Sequence, residues 1–253
     1  MPVISILTAA LPNSHPYINE AYESLCLQEL PGEWTWEWIL QEDGLPSALP
    51  DEITTDDRVK LASNDPNESG EPSGPGITRN IALSRSAGEL IRVLDSDDVL
   101  VPGALAREIS VLEAFSDVGW TTCQVLDLHA DGSTTPYDND PPGGRLERQS
   151  VGDMWLQNNQ SPVHPGTLCV RRKLLVAAGG WMALPTGEDS GLLATLNEYS
   201  DGWFIDQPGM LYRQHDNQIT KSDLHLDPEL QELRWRTIAD RIKAIRQLLA
   251  GGF

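Results

Sequence analysis

Three carboxylates crowd four positions at the end of an apolar run in IRVLDSDDVL, residues 91 to 100: Asp95, Asp97 and Asp98. Such a cluster either turns the chain in water and caps the next helix, or it holds a cation. Hard divalent ions such as Mg²⁺ and Mn²⁺ take oxygen ligands and keep water and substrate phosphates in their shell, so one or two protein carboxylates suffice. Further polar groups gather at Glu42 and Asp43 before Gly44, at Arg79 and Asn80, at Glu188 and Asp189 after Gly187, and at Arg213 and His215 in YRQHDNQIT.

The elements that must position these groups alternate between strand and helix. VISILTA opens as a strand, Tyr17, Ile18, Ala21 and Leu25 have helical spacing, and WTWEWILQEDG is a second strand with an acidic end. RVKLASN is a third strand, residues 64 to 76 are loop by composition, Ile77, Ile81 and Leu83 mark a helix stopping at Gly88, and ELIRVLDSDD is the fourth strand. This order predicts an α/β fold, a mostly parallel open sheet flanked by helices. Ligands of such sheets sit beyond the carboxyl ends of the strands. That rule puts Thr8, Ala9, Glu42, Asp43, Asp95, Ser96 and Asp97 on one rim. Beyond residue 100 the spacing predicts a helix in GALAREISVLEAF, two edge-like strand segments in VGWTTCQVLDLHADG and a turn-rich stretch over 131–144. A helix in SVGDMWLQNN, a strand running into a helix in TLCVRRKLLVAAGGW, a helix from Glu188 and a short strand pair in WFIDQPGMLYRQH follow. Residues 227–250 form a terminal amphipathic helix with Leu230, Leu233, Ile238, Ile242, Ile245 and Leu248 on one face, packing on its own domain or serving as the surface of a homo-oligomer.

Length and charge narrow the function. The 253 residues suit one large α/β domain, 1–253, in three stretches: residues 1–100, residues 101–226 and a terminal helix over 227–253. With 38 acidic and 18 basic residues and a formal charge of −20, nucleic acid and anionic membrane surfaces are poor partners and a cation is a natural guest. No run is long enough for a membrane span, and MPVISIL lacks the features of a signal peptide, so a cytoplasmic location is expected. Cys26, Cys123 and Cys169, odd in number and far apart, read as reduced thiols in or near the core. Trp34, Trp36 and Trp38 alternate on one strand face, and Trp155 and Trp181 lie in the second stretch.

GITRNIALSRSAGELIRVLDSDDVL resembles the signature of the family 2 inverting glycosyltransferases, which have the GT-A fold and use nucleotide-diphosphate sugars. The resemblance extends to VISILTAA, EDG, GGW with GEDSGLL, and YRQHDNQIT, in that order. It implies a nucleotide-binding half over 1–100 and an acceptor-side half over 101–226, with Asp95 near the ribose and Asp97 binding a Mn²⁺ or Mg²⁺ that bridges the phosphates. Thr8, Ala9, Glu42 and Asp43 would meet the base and ribose, although Glu42 stands where the family usually has aspartate. Arg79 and Asn80 match an Arg-Asn pair near the nucleotide, with an ion pair to the rim carboxylates as the other reading of Arg79. Asp189 takes the place of the general base, Glu188 positions sugar hydroxyls or caps its helix, and Asp98 caps the helix that follows it. Arg213 and His215 close over the diphosphate, His215 as a metal ligand or phosphate contact, and His164 lines the acceptor side. The reaction implied is hexosyl or related transfer to a hydroxyl or amine of a small-molecule or glycan acceptor. A nucleotidyltransferase of the same fold class and a non-catalytic sugar-nucleotide or carbohydrate-binding protein are the alternatives. The first lacks a basic glycine-rich loop after the opening strand, and the second has no need of Asp189.

Overall fold

The computed structural model describes residues 1–11, 15–64, 72–137 and 140–251. Parts of the loop expected over 64–76 and of the turn-rich stretch over 131–144 lie outside them. The first half runs β1 (Val3–Ala10), α1 (His15–Cys26), β2 (Thr35–Glu42), a one-turn α2 (Asp51–Thr54), β3 (Val59–Ser63), α3 (Pro75–Arg85) and β4 (Leu90–Val93). The second half follows with β5 (Val99–Leu100), α4 (Ala104–Ala114), β6 (Val118–Leu128), β7 (Thr134–Pro136), β8 (Gly144–Leu146), α5 (Ser150–Asn158), β9 (Cys169–Arg171), α6 (Arg172–Ala177), α7 (Glu188–Tyr199), β10 (Asp201–Arg213), α8 (Asp223–Leu226) and α9 (Pro228–Leu249).

The sheet order is β3-β2-β1-β4-β9-β6-β10-β5. β3, β2, β1 and β4 are parallel throughout, as expected from the strand–helix alternation. The second half is mixed, because β9 runs antiparallel to both β4 and β6 whereas β6 and β10 are parallel. Two reversals at β9 restore the original direction, so the carboxyl ends of β1, β2, β4, β6 and β10 all open on one edge. Alternation along β1 divides the core between the two faces of the sheet. Ile4 and Ile6 pack with Ile18, Ala21 and Leu25 of α1, while Leu7 packs with Ala82, Leu83 and the side chains of α7 and α9.

Several expectations are corrected. VGWTTCQVLDL is one central strand, with Trp120, Cys123 and Val125 buried, because β9 and β10 cover both of its edges. WFIDQPGMLYR is likewise one long strand, β10, whose register shifts around Pro208, the residue that can donate no ladder hydrogen bond. Cys123 and Cys169 are buried and Cys26 is exposed. In α3 the three apolar residues that marked the helix divide: Leu83 is buried beside Ala82, Ile77 and Ile81 are exposed, and Thr78 and Arg79 are buried in the turns where those two stand. In α9 Ile238, Ile242 and Ile245 face the core as expected, but Leu233 and Leu248 are exposed and Arg234 is buried. In both helices a buried guanidinium, held by polar groups of neighbouring elements, sets the rotation of the first turns.

Candidate active site

β1, β2 and β4 deliver their carboxyl ends side by side, and the first residues on that rim are bonded to one another. Thr8 is fully buried; its hydroxyl donates to the Leu94 carbonyl at 2.6 Å and accepts from the Trp38 indole at 2.8 Å. The side chain therefore ties β1 to β4, and only backbone near Thr8 and half-buried Ala9 remains for a ligand. Glu42, also buried, accepts from the Ser47 backbone N–H at 3.1 Å. Asp43 accepts from the Asn64 amide at 3.0 Å and from the backbone N–H groups of Ser73 and Gly74 at 2.8 Å each. Asp43 thus anchors the segment entering α3, and Asn64, which also donates to Thr78 at 2.8 Å, belongs to the same network.

Arg79 joins the two walls of the site. Its Nη2 donates to Asp95 Oδ1 and its Nη1 to Glu188 Oε1, each at 2.5 Å. The pairing with Asp95, Glu188 and Asp189 raises the guanidinium above its ordinary range against the opposing effect of burial. Glu188 is buried as well, and that burial, with Asp189 adjacent, pushes its carboxyl up to about 7. At the start of α7 the cap position belongs to Gly187, and Glu188 follows it as the first helical residue. Asn80 donates to the Trp181 carbonyl and accepts from the Trp181 N–H, both at 3.0 Å, so its amide is spent on the GGW turn.

The turn after β4 meets the end of β10. Ser96 is buried between the two outer aspartates. Asp97 Oδ2 lies 2.8 Å from His215 Nε2. Burial, and then Asp95, lifts the Asp97 carboxyl above the usual carboxylate range. His215 Nδ1 is buried without a partner. Asp98 is not the cap of α4: it is fully buried and accepts from the Arg213 backbone N–H at 3.0 Å, far from the Gly103 cap. Arg213 donates through Nε to the Asp97 carbonyl at 2.8 Å and through Nη2 to Glu20 at 2.7 Å, with its guanidinium 4.5 Å from the Tyr17 ring centroid. Among the described residues no group of three or more His, Cys, Asp or Glu side chains is placed to hold a metal. Asp97 and His215 are the pair on this turn that could hold a hard ion, a short complement that suits one bringing water and phosphate oxygens of its own.

On the opposite wall Asp189 lies half-buried in the first turn of α7 and accepts from the Ser190 N–H at 2.6 Å. The N-terminal end of a helix favours an ionised carboxylate there. His164 sits between the walls. Its ring centroid is 5.0 Å from that of Tyr212 and 6.0 Å from that of Tyr137, and Nδ1 is buried without a partner. Burial lowers its pKa, opposed by Asp189, Asp95 and Asp127, which places the ring in the field of both the Asp95 turn and Asp189. Sequence reasoning missed Asn64, Tyr17 and Glu20, whose contacts span loop closures that no local spacing encodes.

No family model matches the chain. An uncharacterised glycosyltransferase of Haemophilus influenzae is 32% identical over 116 residues, 44% of this chain and 43% of that protein. The putative teichuronic acid biosynthesis glycosyltransferase TuaG of Bacillus subtilis is 28% identical over 128 residues, 47% of each chain. The succinoglycan biosynthesis protein ExoO of Rhizobium meliloti is 34% identical over 116 residues, covering 45% of this chain and 31% of its own. The matched stretch thus spans less than half the length of these relatives. In structure, residues 1–349 of S. aureus TarS in complex with UDP-GlcNAc superpose with a TM-score of 0.67 at 17% identity, over 98% of this chain and 73% of that one. The architecture expected from the sequence, a central sheet flanked by helices, is therefore that of TarS, and the Haemophilus influenzae and Bacillus subtilis relatives carry glycosyltransferase names. No helix among the described residues is long and apolar enough to cross a membrane.

Proposed function

We propose that this chain is a metal-dependent inverting glycosyltransferase that moves a sugar from a nucleotide-diphosphate donor to a hydroxyl or amine of a small-molecule or glycan acceptor in the cytoplasm. One observation carries the reading: Arg79 bonds both Asp95 of the β4 turn and Glu188 of α7, the immediate neighbourhoods of Asp97 and of Asp189. A Mn²⁺ or Mg²⁺ held by Asp97 and His215 would supply charge neutralisation for the leaving diphosphate. Arg213, ordered by Glu20 and Tyr17, adds a fixed positive charge beside that turn. Asp95, paired with Arg79, is left partly open to solvent for a ribose hydroxyl. Asp189 takes the proton from the acceptor hydroxyl as its oxygen attacks the anomeric carbon. The bond from that carbon to the diphosphate oxygen breaks on the opposite side, so configuration inverts and the electron pair leaves with the nucleotide.

TarS, in complex with UDP-GlcNAc and sharing this fold, makes UDP the first base to try. The experiment is a thermal-shift panel of UDP, GDP, TDP, CDP and ADP, each with and without Mn²⁺, since a ligand that binds only the folded chain raises its stability. A Mn²⁺-dependent shift with one nucleotide, abolished by Asp97→Asn, and slow Mn²⁺-dependent hydrolysis of the matching UDP- or other nucleotide sugar are expected. Failure of every nucleotide to shift the melting temperature overturns the reading. Release of pyrophosphate from a nucleoside triphosphate would replace it with nucleotidyl transfer.

A further inference from the structure

Three arginines are buried among the described residues, and two of them face carboxylates: Arg79 pairs with Asp95 and Glu188, and Arg92 with Glu108. The third, Arg234 of α9, is 5% exposed and has no carboxylate within ion-pair distance among the described residues. Its Nη1 bonds the Thr186 hydroxyl and lies 3.5 Å from the His225 Nδ1, and its Nη2 donates to the His225 carbonyl at 2.8 Å. Glu188 acts on this guanidinium only at a distance, and its hydrogen-bond partners are all neutral, so the charge has no directly paired anion among the described residues.

Arg234 lines a cavity of about 180 Å³ together with Trp155, Ser190, His225, Gln231 and Trp235. A cavity of roughly 150 Å³ admits benzene, so this one has room for a single six-membered ring. Two tryptophans give it broad apolar faces suited to the C–H side of a pyranose. Ser190 and Gly187, which flank Asp189 in the chain, form its wall, and the charge of Asp189 reaches His225.

We propose that this cavity is the acceptor subsite and that it takes a pyranose bearing an anionic group, phosphate or carboxylate, with the ring against Trp155 and Trp235 and the anion on Arg234 and His225. The proposal rests on the reading of Asp189 as the base, since it places the acceptor beside that residue. A guanidinium bonds either anion through charge-assisted hydrogen bonds.

The full chain is titrated with glucose 6-phosphate, glucuronate, glucose and inorganic phosphate, following indole fluorescence, with UDP and Mn²⁺ titrated separately on the same samples. Glucose 6-phosphate or glucuronate is expected to bind at least about tenfold more tightly than glucose or phosphate alone, and whichever does so names the anion. Arg234→Gln and Trp235→Ala should each weaken that binding at least about tenfold. Two variants on one helix keep the test decisive if one of them fails to fold. Absence of binding by both anionic sugars, or binding that neither variant alters, overturns the proposal. Anionic-sugar binding without any UDP binding leaves the subsite standing and removes the nucleotide-sugar reading instead.

Discussion

Arg79 and Arg234 are both buried and both flank the start of α7, yet their surroundings are opposite. Around Arg79 every charge meets a counter-charge of the same chain, with Asp95 and Glu188 each at 2.5 Å. Around Arg234 the partners are a hydroxyl, a carbonyl and a neutral ring nitrogen. The first arrangement is a fastener whose charge is paired within the chain, with only Nε left without a partner. The second leaves a favourable interaction open to a molecule that arrives later, and the unpartnered Nδ1 atoms of His164 and His215 continue that incompleteness across the cleft. Groups that shape this site and groups that bind in it are thus separable by whether the chain already satisfies them.

The largest test of that division is Asp189→Asn. Asp189 is bonded only by the N–H of the next residue, so its loss should leave fold and nucleotide binding intact. Transfer should fall about 10²- to 10⁴-fold, the usual range for removal of a general base. A variant that transfers sugar at near-wild-type rate would move the base elsewhere. Next comes the pair of arginines itself. Arg79→Met strands Glu188 and Asp95 and should cost about 3–5 kcal/mol in urea denaturation. Arg234→Met strands no carboxylate, only the Thr186 hydroxyl and the His225 carbonyl, and should cost less, about 1–2 kcal/mol. Equal losses at the two positions would erase the contrast.

Glu188 gives a smaller and pH-dependent effect. Its carboxyl is pushed from 4.5 to about 7 in the folded chain, mainly by burial and then by Asp189. A raised acid binds its proton more tightly in the folded state, so the contribution to stability is full below about pH 4.5 and is lost as pH rises through about 7. In Glu188→Gln the amide oxygen can still accept from Arg79 and nothing titrates. The stability difference, wild type minus variant, should fall across that window; a difference that rises with pH would mean that Glu188 is held ionised by Arg79.

The fold was more legible than the roles. Strand–helix alternation and the acidic strand ends located the rim, because a period of two or of 3.6 is local information. The course of β6 and β10 was not legible: turn-like residues such as Asp206 and Pro208 suggested breaks, whereas pairing with β9, β8 and β5 carries the strands through. The rotation of α3 and α9 was misread for a related reason. Ile77, Ile81, Leu233 and Leu248 outscore an arginine on any apolar scale, and only partners contributed by distant segments make Arg79 and Arg234 the residues that turn inward. Resemblance located Arg79, Asn80 and Asp43 but could not tell a ligand contact from a fastener, since both need the same polar atoms.

Asn80 tests that last distinction at the smallest scale. Its carboxamide is matched to the peptide of Trp181, donating to the carbonyl and accepting from the N–H at 3.0 Å each. The fit also depends on Gly180, whose φ of +69° suits glycine and where an added Cβ would stand 2.2 Å from Asn80 Oδ1. Asn80→Ala leaves two peptide groups beside the buried Trp181 without partners, a loss of about 1–3 kcal/mol and several degrees of Tm. If the amide is a fastener, UDP affinity in the presence of Mn²⁺ should stay within about twofold of wild type, because every bond it makes is internal. A drop of tenfold or more with Tm unchanged would make Asn80 a nucleotide contact, and internal satisfaction would no longer distinguish the groups that shape the site from those that bind.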